Sequence, residues 1–381
     1  MDRHRLFAAA VLMLAVFVTA TGEVRADGAT NGQFSILNIQ PTFDPILSNG
    51  FIITWNAAQN RTNYLTYTDS LTGSWQDLVG LLPTGPTAMV ATDYPPANAT
   101  QRFYRVRAQR SNLVMSLVLD RSGSMQSNGG STALAPAVTA FIQNFDDTND
   151  MAAMVSFASA ASVDVPMQRP FKTKIENAAN ALVFNLDTCS DEGLTNALAQ
   201  NNAVTNSPGQ NLVKVIVFFT DGMANTFNYN LNCGPRNMSY DGNLFDPVTG
   251  NFESSGCTVP NPITSIDGST QVNTARDGSQ ASCDSMHYEA QKRAETWANQ
   301  ARSQGNTIYC VGLGNPKGNN LGECNDGVFP ILNPTFLKDV ANTPDSETYN
   351  PSQPSGIFAV AADSTQLQAV FQTIAQQVLS Q

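Results

Sequence analysis

Histidine is nearly missing: the 381 residues hold two, His4 and His287. A Ser-His-Asp triad or a histidine-rich zinc site would have to rest on His287 alone. No GxSxG elbow or HExxH helix motif occurs. No CxxC pair occurs either, which excludes a zinc knuckle and a thioredoxin-like redox site. Basic residues are also short, with 20 Lys and Arg against 31 Asp and Glu and a net charge of −11. That balance argues against nucleic acid or an anionic membrane surface as partner. Beyond the first residues, no apolar run is long enough to span a bilayer.

What is present begins with a leader. Arg3 and Arg5 precede an apolar run from Leu6 to about Ala20, and Val24-Arg25-Ala26 places small residues where a signal peptidase cuts. Residues 1–26 are therefore expected to be a signal peptide, leaving a secreted, cell-surface or periplasmic protein with no membrane insertion. Apolar residues make up 42%, enough for a sizeable core. The length suggests two domains at roughly 150 residues each. The six cysteines are an even number. In an oxidising space, disulfides are the default.

Residues 33–110 read as short strands: Phe51-Ile52-Ile53-Thr54-Trp55, Tyr64-Leu65-Thr66-Tyr67-Thr68, and Arg102-Phe103-Tyr104-Arg105-Val106-Arg107. Gly73, Gly80, Pro83, Gly85, Pro86, Pro95 and Pro96 punctuate them. Such spacing predicts a small all-β sandwich, with its tryptophans in core packing rather than as ligand platforms. The segment is similar to the fibronectin type III-like modules of bacterial surface proteins.

Residues 112–381 alternate strand and helix. Strands are expected at 113–119, 151–157, 213–219, 307–313 and 357–361. Helices are expected at 133–145, around Ile175–Leu182, at 288–301 and at the end, where Leu367, Val370, Phe371, Ile374, Val378 and Leu379 form one stripe. Runs buried on both faces predict an α/β, doubly wound domain with a mainly parallel central sheet. His287 falls near the start of the 288–301 helix and reads as a packed or surface residue.

Ligands of such sheets sit beyond the carboxyl ends of the strands. Two strands end in aspartate there. Asp120-Arg121-Ser122-Gly123-Ser124 follows the first, and Thr220-Asp221-Gly222 closes the third; between them lies Gly193-Leu194-Thr195-Asn196. Ser122, Ser124 and Thr195 offer neutral hydroxyl oxygens, while Asp120 and Asp221 offer carboxylates, directly or through water. Hard oxygen donors of this kind suit Mg²⁺, with Mn²⁺ and Ca²⁺ as alternatives. Helix capping accounts for Asp120 or Ser122 singly, not for three loops together.

In order and spacing these loops resemble those of the von Willebrand factor type A family, including its DxSxS pattern, and the likeness covers the C-terminal two thirds of the chain. The resemblance implies a MIDAS-type divalent cation site made by Asp120, Ser122, Ser124, Thr195 and Asp221. It implies adhesion rather than catalysis, with a partner protein's acidic side chain completing the metal shell. A structural subunit of a surface filament or extracellular matrix is the alternative.

One departure from the family is an insert at 223–284, rich in Asn, Gly, Ser and Pro, with a hairpin expected at 243–252. A loop this long at the metal face is expected to recognise the partner, cover the site, or serve as disulfide-held elaboration. The expected disulfides are Cys233–Cys257, Cys310–Cys324 and Cys189–Cys283. An aspartate-nucleophile phosphatase would need its second acid where Ser122 stands. Gly312-Leu313-Gly314 lacks a third glycine in place and a following helix, so it makes a poor nucleotide loop.

Overall fold

The computed structural model describes residues 36–45, 48–56, 61–81, 88–96, 99, 101–205, 212–233, 238–245, 262–274, 280–314 and 332–380. The expected leader, Cys257 and Cys324 lie outside them. Two compact units divide at Ser111–Asn112.

The first unit is all β. Its strands are β1 (Ile36–Asp44), β2 (Ser48–Trp55), β3 (Arg61–Thr68), β4 (Gln76–Leu81), β5 (Met89–Asp93) and β6 (Phe103–Arg110). They form two antiparallel sheets, ordered β1-β2-β5 and β4-β3-β6. Ile53, Trp55, Leu65 and Tyr104 make the core. Trp55 is fully buried, as its apolar strand implies, and Trp75 lies under the Arg105 guanidinium at 4.2 Å.

The second unit has a six-stranded sheet. Its first strand is β7 (Asn112–Asp120), followed by α1 (Ser124–Ser127), a single turn, and α2 (Gly130–Ile142). Next come β8 (Met151–Phe157), β9 (Ala161–Gln168), α3 (Lys172–Asn180), α4 (Ser190–Asn202) and β10 (Leu212–Thr220). The insert contributes β11 (Thr226–Cys233), β12 (Met238–Phe245), β13 (Ile263–Thr264) and β14 (Gln271–Val272). The unit closes with α5 (Gln280–Ser303), β15 (Asn306–Leu313), α6 (Pro334–Ala341), β16 (Phe358–Ala361) and α7 (Leu367–Leu379).

The sheet order is β16-β15-β10-β7-β8-β9. All pairs are parallel except β8 with the edge strand β9. From β7 the chain goes to β8 and β9 on one side, then to β10 on the other. The order therefore reverses between β7 and β10, where doubly wound sheets open a crevice.

Alternation along the strands fills both faces. Leu113, Met115, Leu117 and Leu119 of β7 pack with α2, α3 and α7, while Val118 packs with α4, α5 and α6. A continuous apolar run is what a strand covered on both sides requires.

The insert has a small core of its own. Ala224, Phe227, Ile263 and Val272 pack on Met286 and Ala290 of α5, and Arg293 lies over the Phe227 ring at 4.6 Å. The hairpin expected at 243–252 falls mostly outside the described residues. Asn243 to Phe245 end β12, which pairs with β11; residues 246–252 lie outside the described ones.

Two expected disulfides are corrected. Cys189 and Cys310 are free, buried thiols. Cys310 sits mid-strand in β15 within the core, and Cys189 donates to Asp191 Oδ1 at 3.1 Å. The third expected pair, Cys233–Cys257, falls on Cys257. His287 is buried on α5, in line with a packing role.

Candidate metal centre

Asp120 ends β7, and Asp221 follows the last residue of β10, the strand beside it. Both are buried: Asp120 is 0% exposed and Asp221 1%. The intervening loop holds them in place. Asp120 Oδ1 accepts the Ser122 N–H at 2.8 Å, and Oδ2 accepts the Thr220 hydroxyl at 2.5 Å. Ser122 Oγ and Ser124 Oγ share a hydrogen bond of 2.9 Å. Ser124 Oγ donates to Asp221 Oδ1 at 2.7 Å, and Asn128 Nδ2 donates to Oδ2 at 2.9 Å. Four of the five expected residues thus form one hydrogen-bonded cluster at the carboxyl edge of the two central strands.

Every carboxylate oxygen of the pair has a donor, and each of these donors is neutral. No Lys or Arg among the described residues forms an ion pair with either aspartate. Burial pushes the Asp120 carboxyl above its ordinary range. Burial, and then the neighbouring charge of Asp120, push Asp221 up to about 7. Two desolvated anions side by side are costly unless protonated or matched by a cation.

Thr195 takes no part in this cluster. Its hydroxyl donates to the Asp191 carbonyl at 2.8 Å, one turn back in α4. The packing of α4 on β7 explains why. Ser116 of β7 donates to the Ala197 carbonyl, and a Cβ on Gly193 would meet Val118 Cγ1 at 3.0 Å. Helices rise about 1.5 Å per residue and strands about 3.3 Å, so two strand residues match four or so helix residues. The next level, that of Asp120, belongs to Cys189 and Ser190. Thr195 lies roughly 7 Å further along the helix from Ser190.

Ser190 has what Thr195 lacks. Its hydroxyl is buried and has no hydrogen-bond partner. The sequence carried a signal for it. Ser190-Asp191-Glu192 puts acids in the first turn, as helix starts do, so Gly193-Leu194-Thr195-Asn196 falls inside the helix and not in a loop. Gly193 serves close packing against Val118 and Phe157. Asn128 and Thr220, which orient the aspartates, also went unread. Both belong to the same two loops, but ligand chemistry alone does not single them out.

The start of α4 is tied to the insert. Thr188 N–H donates to Asn225 Oδ1 at 2.8 Å, and Asn225 N–H donates to the Thr188 carbonyl at 3.2 Å. Asp191 Oδ2 accepts the Asn228 N–H at 3.1 Å, and burial pushes this carboxyl up to about 6.

A family model, the von Willebrand factor type A domain, matches residues 115–223, a span that contains every residue of the cluster. The α/β unit has the von Willebrand factor type A fold. No curated protein matches the chain. Among solved structures, a von Willebrand factor type A protein from Catenulispora acidiphila is 14% identical, with a TM-score of 0.42, covering 72% of this chain and 45% of that one. The pilus adhesin SpaC from Lactobacillus rhamnosus GG is 16% identical, with a TM-score of 0.45, covering 93% and 37%. Proximal thread matrix protein 1 from the mussel byssus, solved with a zinc-occupied MIDAS motif, is 15% identical, with a TM-score of 0.39, covering 71% and 46%. The chain spans less than half the length of each of these neighbours.

The residues present fit a divalent cation. The donors are two carboxylates and neutral hydroxyls, all hard oxygens. Among the described residues, the two buried carboxylates have no ion-pair partner and the buried Ser190 hydroxyl has no hydrogen-bond partner. Among the described residues, no group of three or more His, Cys, Asp and Glu side chains has the arrangement of a metal cage. A soft-ligand or all-carboxylate site is therefore absent among them.

Proposed function

We propose that the chain is an exported binding module whose type A domain engages a partner protein through one divalent cation, Mg²⁺ first. Asp120, Ser122, Ser124 and Asp221 would hold the ion, with Ser190 in the role first expected of Thr195. The observation that carries this reading is the pair of buried carboxylates, bridged through Ser122 and Ser124 with no Lys or Arg among the described residues in an ion pair with either.

When bound, the ion supplies a Lewis-acidic position to which a partner's carboxylate can add. This chain's residues do the rest. The two aspartates balance the ion without over-neutralising it, and the hydroxyls fill positions without adding charge. Thr220 and Asn128 fix the carboxylate planes, and β7 and β10 make the platform rigid. No step of this requires chemistry on the partner, which favours binding over catalysis.

The leader-like start at residues 1–26 supports export. Among the described residues, no helix is long and apolar enough to cross a membrane. The two antiparallel sheets of the first unit support a fibronectin type III-like reading of residues 33–110.

Titration calorimetry of the mature protein with Mg²⁺ and Mn²⁺ tests the reading. Asp120→Ala is expected to lose metal binding while the sheet stays folded, because Asp120 stands at a strand end. Equal metal affinity in wild type and variant sinks the proposal.

A further inference from the structure

Between α3 and α4 the chain passes beside the metal loop and is held there. Asn185 N–H donates to the Arg121 carbonyl at 2.9 Å, Gly123 N–H to the Leu186 carbonyl at 2.9 Å, and Gln126 Nε2 to the Phe184 carbonyl at 2.7 Å. Phe184 is partly buried and packs on the main core, which fixes the segment further. Its neighbours do the opposite. Val183 and Leu186 are each 65% exposed, among the most exposed large apolar side chains described.

Leu186 is also in the left-handed region, with φ of 65°. Leucine enters that region at a cost, whereas glycine and asparagine enter it readily. Folding alone has no use for a large apolar side chain here, since it buries little and strains the backbone. Strain of this kind, held by surrounding hydrogen bonds, concentrates where ligands bind.

Charge narrows the occupant. The nearest cationic side chain on the loop, Arg121, has its Nε bonded to Ser156 Oγ at 3.1 Å. A ligand carboxylate at this face would meet positive charge from the cation and from the Arg121 guanidinium, and the rim beside them is apolar.

We propose that Val183 and Leu186 form an apolar subsite next to the metal, selecting partner segments in which a glutamate or aspartate is flanked by a large apolar residue. This rests on the metal reading above. The acidic side chain goes to the ion, and the flanking side chain covers Leu186. The ion provides attachment common to any carboxylate, and the leucine edge provides choice among them.

The test uses the full mature protein and short synthetic peptides with a central glutamate flanked by Leu, Phe, Asn or Ser, read by fluorescence polarisation in Mg²⁺ and in EDTA. Leu-Glu and Phe-Glu peptides are expected to bind roughly tenfold tighter than Ser-Glu, a fraction of the gain from full leucine burial. Leu186→Asn should erase that preference. Asparagine suits a positive φ, so the variant should melt at or above the wild-type temperature and keep its Mg²⁺ affinity by calorimetry. Mg²⁺-dependent binding with no preference among the peptides overturns the subsite and leaves the metal reading standing. Absence of Mg²⁺-dependent binding to every peptide, with Mg²⁺ itself failing to bind in calorimetry, overturns both. Mg²⁺-dependent self-association that Leu186→Asn abolishes, without peptide binding, gives the face to a second copy and also overturns the proposal.

Discussion

Replacing Asp221 by asparagine should stabilise the metal-free protein. Wild-type Asp221 is buried beside Asp120, and its carboxyl is raised from 3.8 to about 7. Because the folded value exceeds the unfolded one, the unfolded chain ionises first as pH rises. Stability is fully present below about pH 4 and is lost through the window from 3.8 to about 7. At about 1.4 kcal/mol per unit, full ionisation costs on the order of 4 kcal/mol. Asparagine removes the charge and keeps the shape. Its amide cannot accept from both Ser124 and Asn128, so about 1 kcal/mol of hydrogen bonding is forfeited. The net gain is on the order of 2–3 kcal/mol at about pH 8, or several degrees in the melting temperature of a unit this size. Mg²⁺ should then reverse the ranking, since the wild type gains stability by binding and the variant does not. Thermal melts of both proteins in EDTA and in excess Mg²⁺ decide it. A variant that melts below wild type in EDTA, or gains as much from Mg²⁺, refutes the claim that uncompensated charge dominates this site.

Ser190→Ala should weaken Mg²⁺ binding by calorimetry and leave the metal-free melting temperature unchanged or slightly higher, because it removes a buried hydroxyl with no partner. Thr195→Ala should leave Mg²⁺ affinity at the wild-type value; a larger loss for Thr195→Ala than for Ser190→Ala would reverse the assignment. Cys189 and Cys310 should resist a maleimide reagent in the folded protein and react after denaturation, since both are buried free thiols. A mass spectrum showing either in a disulfide would contradict the structure. Residues 112–381 expressed alone should fold and bind Mg²⁺, in keeping with the boundary at Asn112. A product that is soluble only with residues 33–110 attached would show that the second unit depends on the first.

The central sheet was legible because its signal is local and redundant. Residues 113–119 and 213–219 are apolar on both faces, and only a strand covered by helices on two sides uses such a run. The aspartates at their ends followed at once. The third hydroxyl was harder to find. Thr195 fits the order of residue types in the type A pattern, but ligand geometry depends on where a helix begins relative to a strand. That level is set by Ser116 against Ala197 and Val118 against Gly193, contacts between residues some 80 positions apart, which no local pattern encodes. The edge strand β9 and the short helix α6 escaped for another reason. Ala161–Gln168 is half exposed, with polar residues breaking its alternation, and α6 offers two turns marked mainly by its Asn333 cap and Pro334. The disulfides were inferred from number and compartment, and neither speaks to whether a given thiol points into a core.

The first strand of the type A unit is one of the two at the centre of its sheet. β7 is flanked in parallel register by β10 over Asn112–Leu119 and by β8 over Val114–Asp120. Chain enters it at Asn112. A pulling force arriving through that connection loads both ladders in shear, so their hydrogen bonds must yield together instead of parting one after another. Asp120 lies at the far end of the same strand. Tension entering at Asn112 is therefore resisted by the whole length of β7 before it reaches the loop that follows Asp120.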